Sequence, residues 1–135
     1  MRVWALASVV SVALLSVPLS GNCQQATAPI SGTITVRLSN FTFEPNRLRL
    51  KVGVPVRLRL VNESGGGHDF SAPAFFAASN FPPGFSAPPG GEVAVGSHQT
   101  VEIAVVPRIP GSYRFECTHF LHSFFGMHGV VDVTP

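Results

Sequence analysis

From Gly32 onward, apolar and polar residues alternate with period two over most of the chain, the mark of strands that bury one face. Ile34, Val36 and Leu38 fall on one side of the first such segment, and Thr33, Thr35 and Arg37 on the other. Leu48, Leu50 and Val52 alternate with Arg47, Arg49 and Lys51; after a turn at Gly53, Val56, Leu58 and Leu60 alternate with Arg57 and Arg59. Val101, Ile103 and Val105 make another inward row, and turns through Pro107, Pro110 and Gly111 lead to Tyr113, Phe115 and Cys117. Val130 to Val133 is expected to close the chain as a short strand. No long stretch beyond residue 28 carries the 3.6-residue period of an amphipathic helix.

Six or more short strands separated by Gly and Pro turns predict an all-β fold built as a sandwich. Ser71 to Ser97 interrupts the pattern as a long Phe-, Pro- and Gly-rich connection. It is expected to hold one short helical turn at Ala74 to Ser79, with Phe75, Phe76, Phe81 and Phe85 capping the core.

Composition narrows the function. The 135 residues suit one domain, and 45% hydrophobic content is enough for a core. Only 12% of residues are charged, the net charge is +2 and Lys51 is the sole lysine, which excludes a nucleic-acid binder that works by neutralising phosphates. Met1-Arg2 followed by the apolar run Val3 to Leu19, with Pro18 and then Ser20-Gly21-Asn22, reads as an export signal. A permanent membrane helix would want about 20 apolar residues and no such break. Residues 1–28 are therefore taken as signal and short tail, and 29–135 as the domain, exported to the periplasm with no membrane span in the mature protein. Leu19-Ser20-Gly21 ahead of Cys23 resembles a lipoprotein signal although Asn22 intervenes, so lipid attachment at Cys23 is the lesser alternative to a free cysteine near the new N-terminus or its removal with the signal.

The chemistry concentrates near the C-terminus. Cys117, His122 and Met127 lie on one loop between two expected strands, so its ends are drawn together and a thiolate, an imidazole and a thioether can converge. His68 offers a further donor after Gly65-Gly66-Gly67, where glycines permit a sharp turn and a close backbone approach. Two imidazoles, one thiolate and a weak thioether make the donor set of a mononuclear blue-copper centre. Zinc accepts Cys and His but takes Met poorly. Plainer readings stand beside these: His68 as an exposed loop residue, Cys117 as an inert buried thiol and Met127 as core filling. His119 is an alternative ligand in competition with His122, or else points outward; His98 and His128 are read as surface residues. Phe120, Leu121, Phe124 and Phe125 either pack inward around the site or form an apolar rim where a partner docks.

These residues resemble the cupredoxins, the plastocyanin-like and azurin-like small copper proteins. The closing motif C-x4-H-x4-M matches at Cys117, His122 and Met127, with Gly126 and Gly129 beside the methionine. Asn40 to Asn46 with Val52-Gly53, and Gly67-His68-Asp69-Phe70, resemble the family's earlier segments. The resemblance covers Ile30 to Val133. It implies a Greek-key sandwich with one copper ion at one end, His68, Cys117 and His122 as equatorial ligands, Met127 as axial ligand, and one-electron transfer through an exposed histidine edge. Two departures stand out: Phe120-Leu121 replaces the Pro-Gly commonly found before the loop histidine, and His119 and His128 are additional imidazoles.

Two function classes follow. One is a monomeric electron carrier of the cell envelope that meets its redox partners transiently. The other is a copper-handling protein for delivery, storage or resistance, which exchanges the ion with a donor or acceptor protein. An enzyme is not expected, because four protein donors leave no open position and no acid–base constellation stands beside Cys117.

Overall fold

The computed structural model describes residues 30–122 and 124–135; the segment read as an export signal, Cys23 and Ser123 lie outside them. Strands β1 (Thr33–Ser39), β3 (Arg47–Lys51) and β4 (Val56–Asn62) follow the alternating segments, and the short β2 (Thr42–Glu44) lies between the first two. Leu48 and Leu50 are buried between exposed Arg47, Arg49 and Lys51, and Val56, Leu58 and Leu60 are buried along β4. Strands β5 (His68–Ser71), β6 (Ser79–Asn80), β7 (Glu92–Val95), β8 (Thr100–Pro107), β9 (Gly111–Glu116) and β10 (His128–Thr134) complete the chain, with helix α1 at Pro73–Ala77.

The strands form two five-stranded sheets, ordered β2-β1-β4-β8-β6 and β3-β10-β9-β5-β7. The chain crosses from one sheet to the other at most of its turns, which sets β1 parallel to β4 and β3 parallel to β10, and the result is a β-sandwich of Greek-key type. Val36, Leu38, Leu58 and Leu60 of the first sheet join Leu48, Phe70, Phe115 and Val131 of the second in one apolar core. Among the described residues no helix is long and apolar enough to cross a membrane.

The long connection is more ordered than its composition suggests. The helical turn begins one residue early, at Pro73, because a proline suits the first helical position. It ends before Ser79, which pairs with Pro107 of β8 instead, while its hydroxyl donates to Phe75 O at 2.9 Å. Phe75 and Phe76 are buried, and Phe81 and Phe85 pack partly against the core, as the capping role requires. Tyr113 is only half-buried, since its hydroxyl reaches out to Ile109 O at 2.9 Å. Cys117 lies just beyond the end of β9, and the last strand starts at His128, earlier than Val130.

Candidate metal centre

Strands β9 and β10 are antiparallel neighbours with Glu116 opposite His128. The next residues outward, Cys117 and Met127, therefore face each other across the neck of a loop, and Cys117 N–H donates to Met127 O at 3.1 Å. Within the loop, Met127 N–H donates to His122 O at 2.9 Å and His122 N–H to His119 O at 3.0 Å, which folds His122 back over the neck. Strand β5 runs beside β9 with Ser71 opposite Glu116. Carried outward, that register brings Asp69 against Thr118 and His68 to the same end of the sandwich.

Three of the expected donors meet there. Cys117 Sγ lies 3.4 Å from His122 Nδ1 and 3.8 Å from His68 Nδ1, and one donor atom from each of the three residues falls within 4.8 Å of the others. A nitrogen and a sulfur bound to one ion at ordinary lengths stand roughly 3.6–3.8 Å apart at trigonal to tetrahedral angles, so the cluster has the dimensions of a metal site. His68 is 2% exposed, Cys117 and Met127 are fully buried, and His122 is half-buried. Phe70 and Phe115, stacked at 4.6 Å, join Cys117 and Met127 in the same core. Burial pushes the Cys117 thiol above its ordinary pKa. Burial first, and then the neighbouring His122 and His119 rings, hold His68 below its own against the opposing pull of Asp69.

The tautomer of His68 follows from its neighbours. Asn62 is buried, and its amide nitrogen donates to Gly66 O at 2.7 Å, Gly96 O at 3.0 Å and Val95 O at 3.1 Å. Its oxygen therefore faces Ser64 and accepts from the Ser64 N–H at 2.9 Å and the hydroxyl at 2.8 Å. With its single proton committed to Asn62, Ser64 Oγ accepts from His68 Nε2–H at 2.8 Å. The proton on Nε2 leaves Nδ1 bare and turned toward Cys117, the form in which an imidazole ligates a metal. Replacing Ser64 by alanine is expected to weaken metal binding about tenfold or more, measured by competition with a chelator; unchanged affinity would show that His68 is oriented without the hydroxyl.

The sequence reading missed Asn62, Ser64, Asp69 and Phe41. Phe41, in the β1–β2 turn at φ 64°, sets its ring edge-on to His122 at 5.1 Å. Asp69 is buried and accepts from Thr118 N–H at 2.9 Å, Thr118 Oγ1 at 2.8 Å and His119 Nδ1 at 2.8 Å. The only available signal for Asp69 was its place next to His68. His119 Nδ1 also lies 3.5 Å from Cys117 Sγ, although 46% of its side chain is exposed. His98 and His128 are exposed.

The four loop apolar residues point outward. Phe120 and Phe124 are 87% and 82% exposed, and Leu121 and Phe125 are exposed as well. Inward packing around the cluster is thereby overturned for these side chains. They share the loop with His122, the least buried donor of the cluster, and Phe125 packs edge-on at 5.4 Å against Phe41, whose ring meets His122.

Comparison with curated proteins gives no sequence match. Among solved structures, auracyanin B is similar at 23% identity with a TM-score of 0.61, over 79% of this chain and 91% of that chain. Sodium-dithionite-reduced auracyanin from the photosynthetic bacterium Roseiflexus castenholzii is similar at 19% identity with a TM-score of 0.60, over 79% of this chain and 100% of that chain. At these identities the likeness is one of fold. The family of cupredoxin-like domains matches residues 6–133. With a match over nearly its whole length, this chain belongs to the cupredoxin-like domain family.

Proposed function

We propose that this protein binds one copper ion and carries single electrons, and that His68, Cys117, His122 and Met127 would hold the ion. The observation that carries this reading is the meeting of one thiol and two imidazole nitrogens within 4.8 Å beside the fully buried Met127. Thiolate and thioether are soft donors and the imidazoles are intermediate, which suits copper better than zinc. When bound, copper supplies a one-electron couple between Cu(I) and Cu(II). The chain holds the donors at the start of β5 and on the loop that closes between β9 and β10, so little rearrangement of the protein would accompany a change of charge. The buried surroundings of Cys117 and Met127 exclude water, and the half-exposed His122 ring offers the shortest path to the surface. Phe120, Leu121, Phe124 and Phe125 serve as the apolar rim on which a redox partner docks transiently. That a similar fold belongs to an auracyanin prepared in a dithionite-reduced state supports a redox role. Export to the periplasm rests on the character of residues 1–28, and a carrier role rather than an enzyme's rests on four protein donors that would leave no open position for substrate.

Copper titration of the reduced protein, followed by oxidation, tests this. One ion per chain, an intense thiolate-to-copper band and its reversible bleaching are expected. No stoichiometric uptake would overturn the reading, and tight Cu(I) uptake with rapid exchange and no such band would favour copper handling.

The pH dependence has a defined sign. A thiol must lose its proton to ligate, and burial holds that proton on Cys117 past its ordinary pKa. His68, held below its ordinary value, is already free of its second proton near neutrality. Cu(I) affinity is therefore expected to fall about tenfold for each unit that the pH drops around neutrality, through release of the thiol proton. A flat profile in a competition titration would remove Cys117 from the ligand set.

A further inference from the structure

We propose that Asp69 decides which of the two loop histidines can ligate: by holding the Nδ1 proton of His119, it closes a second donor set, Asp69–Cys117–His119, and leaves the place to His122. This rests on the copper reading above. Distance alone does not choose between the rings, because His122 Nδ1 and His119 Nδ1 lie 3.4 and 3.5 Å from the same sulfur. The rings are stacked, with centroids 5.6 Å apart and planes at 22°. Their difference lies in their hydrogen bonding. Asp69 Oδ2 stands 2.8 Å from His119 Nδ1, whereas among the described residues no carboxylate hydrogen-bonds His122.

A carboxylate only accepts. Asp69, 1% exposed in its side chain, accepts from Thr118 N–H, from the Thr118 hydroxyl and from His119 Nδ1, so that nitrogen carries a proton and has no lone pair for a metal. The grip is firm at both ends. Asp69 sits in β5 between His68 and Phe70, and Thr118 follows Cys117 directly, so the carboxylate ties the two ligand-bearing segments together while it occupies the competing ring. One Asp69 carboxylate oxygen, Cys117 Sγ and one His119 nitrogen all lie within 4.8 Å of one another. They make a harder donor set, which the Asp69–His119 hydrogen bond keeps closed. Asp69 acts here as a positioning residue.

Two measurements test the assignment. The first needs no metal: nitrogen NMR of the histidine rings in the metal-free protein should show His119 protonated at Nδ1, and a bare Nδ1 would overturn the proposal. The second uses His122→Gly, with the parent protein titrated alongside. With Asp69 in place, His119 should fail to substitute, so the copper band of the parent is lost and returns on addition of imidazole. Retention of the parent spectrum without imidazole would overturn the proposal. In His122→Gly combined with Asp69→Ala, the freed His119 should fill the gap, and added imidazole should then change nothing; continued imidazole uptake would count against it. If the parent itself takes up no copper, the copper reading fails, and the ring tautomer still decides whether Asp69 holds the His119 proton.

Discussion

Cys117→Ser is expected to abolish the visible band and to weaken Cu(I) binding by at least about 100-fold, while the metal-free protein keeps its fold. The loss of colour follows because the band requires a sulfur-to-copper charge transfer, which a hydroxyl cannot supply. The loss of affinity can be scaled. Four ligands that together bind a structural metal with about 10–16 kcal/mol put each at roughly 3 kcal/mol, or about 100-fold, and thiolate is the strongest of this set for Cu(I). Folding survives because serine is nearly the same size as cysteine and its hydroxyl has acceptors nearby. Cys117 Sγ stands 3.9 Å from Asp69 Oδ2 and 3.4 Å from His122 Nδ1, so a hydroxyl there finds a hydrogen bond after a small adjustment. The metal-free melting temperature should therefore move little, which separates loss of the site from loss of the protein. Retained colour in this variant would place the thiolate elsewhere.

Much of this arrangement was legible before any coordinates, for a physical reason that differs by segment. Strands β3 and β4 could be read because each leaves arginines on a solvent face and leucines on a core face. Strand β5 could not, because His68, Asp69 and Phe70 are all buried and no alternation survives when both faces are covered. The closure of the loop from Cys117 to Met127 was legible through spacing, since a loop that joins two paired strands returns its ends to one place, and the two residues do meet at its neck. Spacing could rank His119 against His122 but could not supply the reason. Both present Nδ1 to the sulfur, and what distinguishes them is the carboxylate of Asp69, a residue distant in sequence. The Asn62–Ser64–His68 chain was hidden for a similar reason, because a strand-end asparagine gives no sign that it will turn inward and orient a serine. Phe75 and Phe76 turn in, as expected of a cap on the core. Phe120 and Phe124 were ambiguous, because an irregular loop has no periodicity to show that they turn out.

Gly129→Ala is expected to destabilise the protein by about 3 kcal/mol or more, and so to lower its melting temperature by on the order of 12 °C. Gly129 lies in β10 opposite Phe115 of β9. A methyl group there would run into the Asn46 carbonyl oxygen and the edge of the Phe115 ring, with a second ring carbon at 2.8 Å. Neither neighbour can yield cheaply. The Asn46 oxygen accepts the Val130 N–H at 2.9 Å and so anchors the start of the β3–β10 pairing. Phe115 is fully buried, stacked on Phe70 at 4.6 Å and edge-on to Phe43 at 5.0 Å. The strain reaches the metal centre, because Met127 stands two residues before Gly129 and its carbonyl accepts the Cys117 N–H at the loop neck. Displacing the start of β10 should therefore weaken copper binding together with stability, unlike Cys117→Ser, which separates the two. Gly66→Ala serves as the control, since a methyl group there meets open space. Thermal melts of the two glycine variants should differ widely; equal, small losses would mean that β10 can slide away from Asn46 and Phe115 at little cost, and that the loop neck is not rigidly built.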